Sequence, residues 1–140
     1  VSYGVEIGAD WRSRRGRVQG WLAGQPFEHV IERREDGGWY LDGRLQPGLT
    51  HLVDLDFGFT PATNLQQLRR VNLQPGQAAD SPVVWFDLKQ TSLIELPQHY
   101  ACLDGEAYRY ASPQGPYEAV LESAPNGFAR LYPELWRMVE

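Results

Sequence analysis

Apolar positions along this chain come in short runs rich in Val, Ile, Tyr, Trp and Phe. Gly, Pro, Asp and Asn clusters separate them, so that a new run begins about every 8 to 12 residues, the pattern of an all-β sheet or barrel. Strands are expected over 3–9, 14–23, 28–35, 38–41, 52–57, 69–73, 83–88, 93–103, 106–111, 117–122 and 127–131. Asp36-Gly37-Gly38 and Asp104-Gly105 lie between apolar runs and suit tight hairpin turns that need positive φ. Gln74-Pro75-Gly76 and Pro125-Asn126-Gly127 are similar breaks, and Gln46-Pro47-Gly48 opens a looser connection. One segment differs. Thr60 offers an N-cap hydroxyl just before Pro61, a residue suited to the first helical position, so a short helix is expected through about residue 68. The tail 133–140, with Leu135, Trp136 and Met138, is expected to form a second short helix over one end of the sheet.

Composition narrows the class without naming a function. The 140 residues have the size of one domain, and no linker, repeat or low-complexity tract divides 1–140. No apolar run approaches the ~18 residues that a membrane-spanning helix needs. The net charge of -5 opposes generic nucleic-acid binding, which needs a surplus of Lys and Arg to neutralise phosphates. The basic residues are all Arg except Lys89; codon bias accounts for that, and planar anion recognition is the other reading. Cys102 is the single cysteine, which rules out an intrachain disulfide or a cysteine-based zinc site and fits a reducing, cytoplasmic compartment. Residues 1–10 lack the basic and apolar regions of a secretory signal. A start at Val1 instead of Met points to an upstream segment that has been removed.

The most informative stretch for chemistry is Val53-Asp54-Leu55-Asp56-Phe57. In a strand alternate residues share a face, so Asp54 and Asp56 point one way and Val53, Leu55 and Phe57 the other. The two carboxylates then sit roughly 6 to 7 Å apart at their backbones, from the strand rise. Such a pair suits three roles: ion pairing with Arg69 and Arg70 on a neighbouring strand, binding of a ligand headgroup, or general acid and base work as in glycosidases. His29, His51 and His99 are widely separated and have no partner at metal-ligand spacing, so no metal site is expected. No Ser lies in a nucleophile elbow, Cys102 sits in an apolar strand without an adjacent base, and the glycines form no phosphate-cradling loop. No catalytic residue and no cofactor is therefore expected. Five Trp, seven Tyr and five Phe remain, side chains that line either a core or an amphipathic cavity.

The order Asp10-Trp11-Arg12-Ser13-Arg14, Gly38-Trp39-Tyr40 with Asp42-Gly43, Asp54-Leu55-Asp56, and Thr60-Pro61-Ala62-Thr63-Asn64 running into Leu68-Arg69-Arg70 resembles the glycolipid-binding family of bacterial spiral β-roll proteins. Val83-Val84-Trp85-Phe86, Gln98-His99-Tyr100, Tyr108-Arg109-Tyr110 and Tyr132-Pro133 extend the likeness over nearly the whole chain. Two features depart from the family pattern. A longer N-terminal portion with further strands is missing, which makes this chain a fragment or a short member. Gln66-Gln67 stands where the family tends to have a proline, which permits a more regular helical turn. The resemblance implies a mainly β (α+β) fold, a highly curved antiparallel sheet forming a spiral β-roll or barrel-like wrap around one short helix, assembled as a homodimer.

The function this suggests is non-covalent binding of an amphipathic small molecule such as a glycolipid. Trp11, Trp39 and other aromatic and aliphatic residues would bury its apolar part, while Arg12, Arg14, Asp54, Asp56, Asn64, Arg69 and Arg70 would hold a sugar or phosphate headgroup. An enzyme of sugar or glycolipid metabolism using Asp54 and Asp56, and a dimeric assembly module with a Trp-rich surface, are the competing readings. The enzyme requires both carboxylates to line an open cleft.

Overall fold

The computed structural model describes residues 1–59, 64–104, 107–112, 117–123, 129–132 and 136–137, with side chains in 1–59, 67–104 and 107–111. Its strands fall in three sheets, none closed into a barrel, with one short helix. The mainly β class holds, in sheets that are not closed.

The first sheet is an antiparallel meander of β1 (Ser2–Ile7), β2 (Ser13–Leu22), β3 (Gln25–Arg33), β4 (Trp39–Leu41) and β5 (Arg44–Gln46). The Asp36-Gly37-Gly38 turn forms as expected: Asp36 Oδ1 accepts the Gly38 N–H at 2.8 Å, and Gly37 has φ +85°. Two further hairpins were not expected. Ala23-Gly24 and Asp42-Gly43 both have two consecutive positive φ angles, the primed geometry that matches strand twist. The β2–β3 hairpin is therefore tighter than its apolar pattern suggests, and the short β5 follows directly on Gly43.

The second sheet joins β6 (Leu55–Phe57) in parallel to β8 (Val83–Phe86), with β9 (Ile94–Leu96) antiparallel beyond it. A parallel pair needs a long crossover. Here it contains α1 (Asn64–Val71) and β7 (Ala78–Asp80). The strand expected over 69–73 is thus corrected to the last turn of a helix. Its end is marked by Asn72 at φ 49°, whose N–H donates to the Leu68 carbonyl at 3.0 Å. Asn tolerates this left-handed position, and Arg69 and Arg70 suit the negative end of the helix dipole. The N-cap expected at Thr60-Pro61 lies outside the described residues.

The third sheet runs β14 (Trp136–Arg137), β13 (Ala129–Tyr132), β12 (Tyr117–Ser123), β11 (Ala107–Ser112), β10 (His99–Cys102), β7, with all pairs antiparallel. The strand expected over 93–103 is split at Pro97-Gln98 between two sheets, since a proline has no N–H to donate to a ladder. In the tail, expected as a helix, Trp136–Arg137 is a strand; its remaining residues lie outside those described.

Alternation decides what each face buries. Val18, Ile31, Trp39 and Leu41 of the first sheet pack against Leu55, Phe57, Val84 and Phe86 of the second. The contact is close at Gly16, where a Cβ would meet Leu55 Cδ2 at 2.5 Å and Phe57 Cζ at 3.0 Å. Only glycine lets the sheets approach to this distance. A smaller cluster, Tyr100 and Tyr110 with Leu68, Leu73 and Tyr108, seats α1 against the third sheet.

Candidate functional site

With Leu55 and Phe57 in the main core, the opposite face of β6 belongs to Asp54 and Asp56, as strand alternation demands. Asp54 is fully buried. Arg70 of α1 meets it with both forks: Nε donates to Oδ1 at 3.1 Å and Oδ2 at 3.2 Å, and Nη2 to Oδ2 at 2.6 Å. The ion pair expected across two strands thus joins a strand to a helix. Asp56 is 8% exposed and accepts the Gln98 side-chain amide at 3.1 Å. Both carboxylates are thus buried and engaged by neighbouring side chains.

The loop before β2 is tied to this strand. The Ser13 N–H donates to the Val53 carbonyl, and Ser13 Oγ accepts the Leu55 N–H, both at 2.9 Å, so Ser13 brackets Asp54 from the neighbouring sheet. Ahead of it, the Gly8 N–H donates to the Arg12 carbonyl and the Trp11 N–H to the Gly8 carbonyl, each at 2.9 Å. Arg12 N–H donates to Asp10 Oδ1 at 3.0 Å. These bonds hold Trp11 at φ 63°. For a bulky residue that is an outlier costing on the order of 1 to 3 kcal/mol, a kind of strain that clusters at ligand clamps. Trp11 is nonetheless 39% exposed. Arg69, the neighbour of Arg70 on α1, places its guanidinium 5.9 Å from the Trp11 ring centre. The Arg12 backbone N–H, and then the charges of Arg14 and Arg12, hold the Asp10 carboxyl below the usual carboxylate range.

The structure therefore joins Asp54 to Arg70 and sets Arg69 near Trp11, while Arg12 and Arg14 surround Asp10 in the adjoining segment. Asp56 lies one step along the same face as Asp54. Trp39 is elsewhere in role: it is fully buried in the main core, and its indole N–H donates to the Leu52 carbonyl at 3.0 Å. Asn64 is the first residue of α1, and its side chain lies outside those described. Sequence reasoning missed Gln67, which is fully buried on α1 one turn before Arg70, with neither amide atom partnered. Helical spacing would have exposed it, because residues three apart share a helix face.

The three histidines each face one carboxylate, His29 with Asp42 at 2.8 Å, His51 with Glu95 at 2.7 Å and His99 with Asp80 at 2.8 Å. Among the described residues no group of three or more His, Cys, Asp or Glu is placed to hold a metal. Burial, then the charge of Asp104, pushes the Cys102 thiol up, and burial also raises the Tyr108 phenol across the β10–β11 ladder. Both groups stay neutral at physiological pH, so Cys102 is no ready nucleophile. No helix among the described residues is long and apolar enough to cross a membrane.

Fold and site together define a mainly β protein that displays an aromatic and arginine patch above a buried ion pair. The chain belongs to the family described as "Putative glycolipid-binding", whose model matches residues 1–138. It is similar to the crystal structure of a DUF1089 family protein from Pseudomonas aeruginosa, with 25% identity and a TM-score of 0.86, over 98% of this chain and 76% of that one. No curated protein matches the chain.

Proposed function

We propose that the protein holds a glycolipid, or an amphipathic ligand of that kind, non-covalently, with the headgroup at the Trp11 patch. The observation that carries this reading is Trp11 itself: an exposed indole locked in a left-handed conformation, next to Arg12 in the chain and with the Arg69 guanidinium 5.9 Å from its ring centre. An indole face packs against the C–H face of a sugar ring, and the arginine forks hydrogen-bond hydroxyl or phosphate oxygens. Asp54 and Arg70 satisfy each other and act as the frame beneath the patch. Trp21 and Leu22, 72% and 52% exposed at the β2–β3 hairpin, lie roughly 30 Å away at the other end of β2 by the strand rise and form a separate apolar surface. Beside them a depression of about 680 Å³ is lined by Trp21, Pro26 and Phe27 among others. The family name supports the ligand class. In this reading the three sheets are the turns of a spiral roll.

The test is native mass spectrometry of protein purified from cells, together with uptake of labelled glycolipids. Trp11→Gly is expected to weaken uptake about tenfold, the equivalent of one aromatic contact. Stability should stay within about 1 kcal/mol, because relief of the left-handed strain offsets the lost contact with Arg69. Absence of co-purified lipid together with no uptake by the wild type would sink the proposal. The same proposal takes the protein as a cytoplasmic homodimer through its exposed Trp21 and Leu22. Light scattering should give twice the chain mass of 15.9 kDa; a monomer at high concentration removes this part, and a dimer that takes up no lipid favours an assembly module instead.

A further inference from the structure

The first sheet ends in an arrangement that packing alone does not explain. β2 and β3 pair in register as far as Arg15 opposite Glu32. Beyond that pair Arg14 falls in the bulge where β1 passes from Glu6 opposite Arg15 to Ile7 opposite Ser13, which leaves Ser13 buried and Arg14 exposed. Arg33 shares the core-facing side of β3 with Ile31, as alternation demands. Arg14, Arg33 and Arg34 line one depression, where like charges repel one another.

Arg33 carries the larger part of that cost. It is half-buried, its partner in β4 is the fully buried Trp39, and its Nε is buried without a hydrogen-bond acceptor. Among the described residues no carboxylate forms an ion pair with it. A buried donor left unpaired costs on the order of 1 to 3 kcal/mol, and more when charged. The Arg14 guanidinium lies over Gly8, its Nε 2.6 Å from where a Cβ on that glycine would sit, and its countercharge is the exposed Asp10. Arg34 stacks on Tyr40, with Cζ 3.7 Å from the ring centre, and meets Glu32 at 3.6 Å. All three arginines line one open depression of about 750 Å³, with Glu35 and Asp36 at its side. Asp36 is already engaged in its turn through the Gly38 N–H.

We infer that Arg14, Arg33 and Arg34 form a receptor for a tetrahedral oxyanion, a phosphate or sulfate ester carried by the headgroup of the ligand. Such an anion supplies the acceptor that the buried Arg33 Nε lacks and offsets the mutual repulsion of three guanidinium groups around one depression. Arginine suits the task because its planar fork bonds two oxygens at once. With a net charge of -5 the chain as a whole repels anions, so binding here would be local and specific. The inference rests on the glycolipid reading only for the source of the anion.

The experiment is flotation of the whole chain with phosphatidylcholine vesicles containing sulfated galactosylceramide, unsulfated galactosylceramide or phosphatidic acid, alongside calorimetric titration with inorganic phosphate. The sulfated glycolipid is expected to bind about tenfold or more tightly than the unsulfated one, the worth of one charge-assisted hydrogen bond. Arg33→Gln should abolish that preference. Arg44→Gln makes the same charge change on β5, outside the depression, and should leave it within about twofold. If Arg33→Gln does not fold, as judged by circular dichroism, the exposed Arg14→Gln replaces it with the same expectation. Equal binding of sulfated and unsulfated lipid overturns the inference while leaving the glycolipid reading intact. Arg33-dependent binding of phosphatidic acid or phosphate, with no binding of either galactolipid, supports the oxyanion receptor and overturns the glycolipid reading. Equal losses in the Arg33 and Arg44 variants also overturn the inference, because they indicate net charge rather than a site.

Discussion

Replacing Arg70 with alanine is expected to destabilise the protein by about 3 to 5 kcal/mol, the usual cost of leaving one member of a buried ion pair without its partner. Asp54 is fully buried, whereas the Arg70 side chain is 29% exposed, so the carboxylate is the member that cannot turn to water. Breaking the pair also frees α1 from β6, and the crossover between the two parallel strands loses a fastening point. Asp54→Leu combined with Arg70→Met should recover most of the loss, to within about 2 kcal/mol of wild type, because apolar replacements of similar volume remove the desolvation cost altogether. Urea unfolding of the wild type and both variants, compared at constant m-value, checks this. A loss below about 1 kcal/mol for Arg70→Ala would place the pair among ordinary surface salt bridges and contradict its burial.

Trp39→Ala is expected to cost a further 3 to 5 kcal/mol or so in its own right, from the cavity left in the main core. Its ring packs with Ile31, Leu41 and their neighbours, and its N–H satisfies the Leu52 carbonyl. Trp39→Phe keeps much of the ring but orphans that carbonyl, at about 1 to 3 kcal/mol. For a chain of this size each kcal/mol moves the melting temperature by roughly 2 to 4 °C, so the alanine variant should melt about 6 to 20 °C lower. Thermal melts measure both. Glycolipid uptake by folded Trp39→Phe should match wild type, in contrast to Trp11→Gly. A folded Trp39→Phe that has lost uptake would mean that Trp39 touches ligand after all.

The two tryptophans show where sequence reasoning is strong and where it stops. Trp11 and Trp39 look alike in a sequence, each beside Gly, Asp or Arg. One lies outside the ladders in a loop strained to φ 63°, the other in a strand with every side-chain need met in the core. Burial is a property of what packs on a residue from elsewhere in the chain. Asp54 and Asp56 were legible as a same-face pair, because strand geometry is local. That Arg70 would arrive from a helix, rather than a strand, was not legible, since 69–73 carries no strong period of its own. Arg33 escaped notice for a related reason: its place beside Trp39 and its gathering with Arg14 and Arg34 around one depression depend on pairing between distant segments.

What the sequence by itself determined is the class: one chain of β runs and turn residues, with an Asp-x-Asp face and a short helix near Asn64, in a recognisable family pattern. These follow from alternation, turn chemistry and residue order, all of which act within a few residues. Tertiary packing alone sets the division into three sheets, the parallel β6–β8 pair, the burial of Asp54 beneath Arg70 and the gathering of Arg14, Arg33 and Arg34 around one depression. Each of these joins segments far apart in the chain. They are fixed by which apolar faces bury one another and by which charges must then find partners away from water.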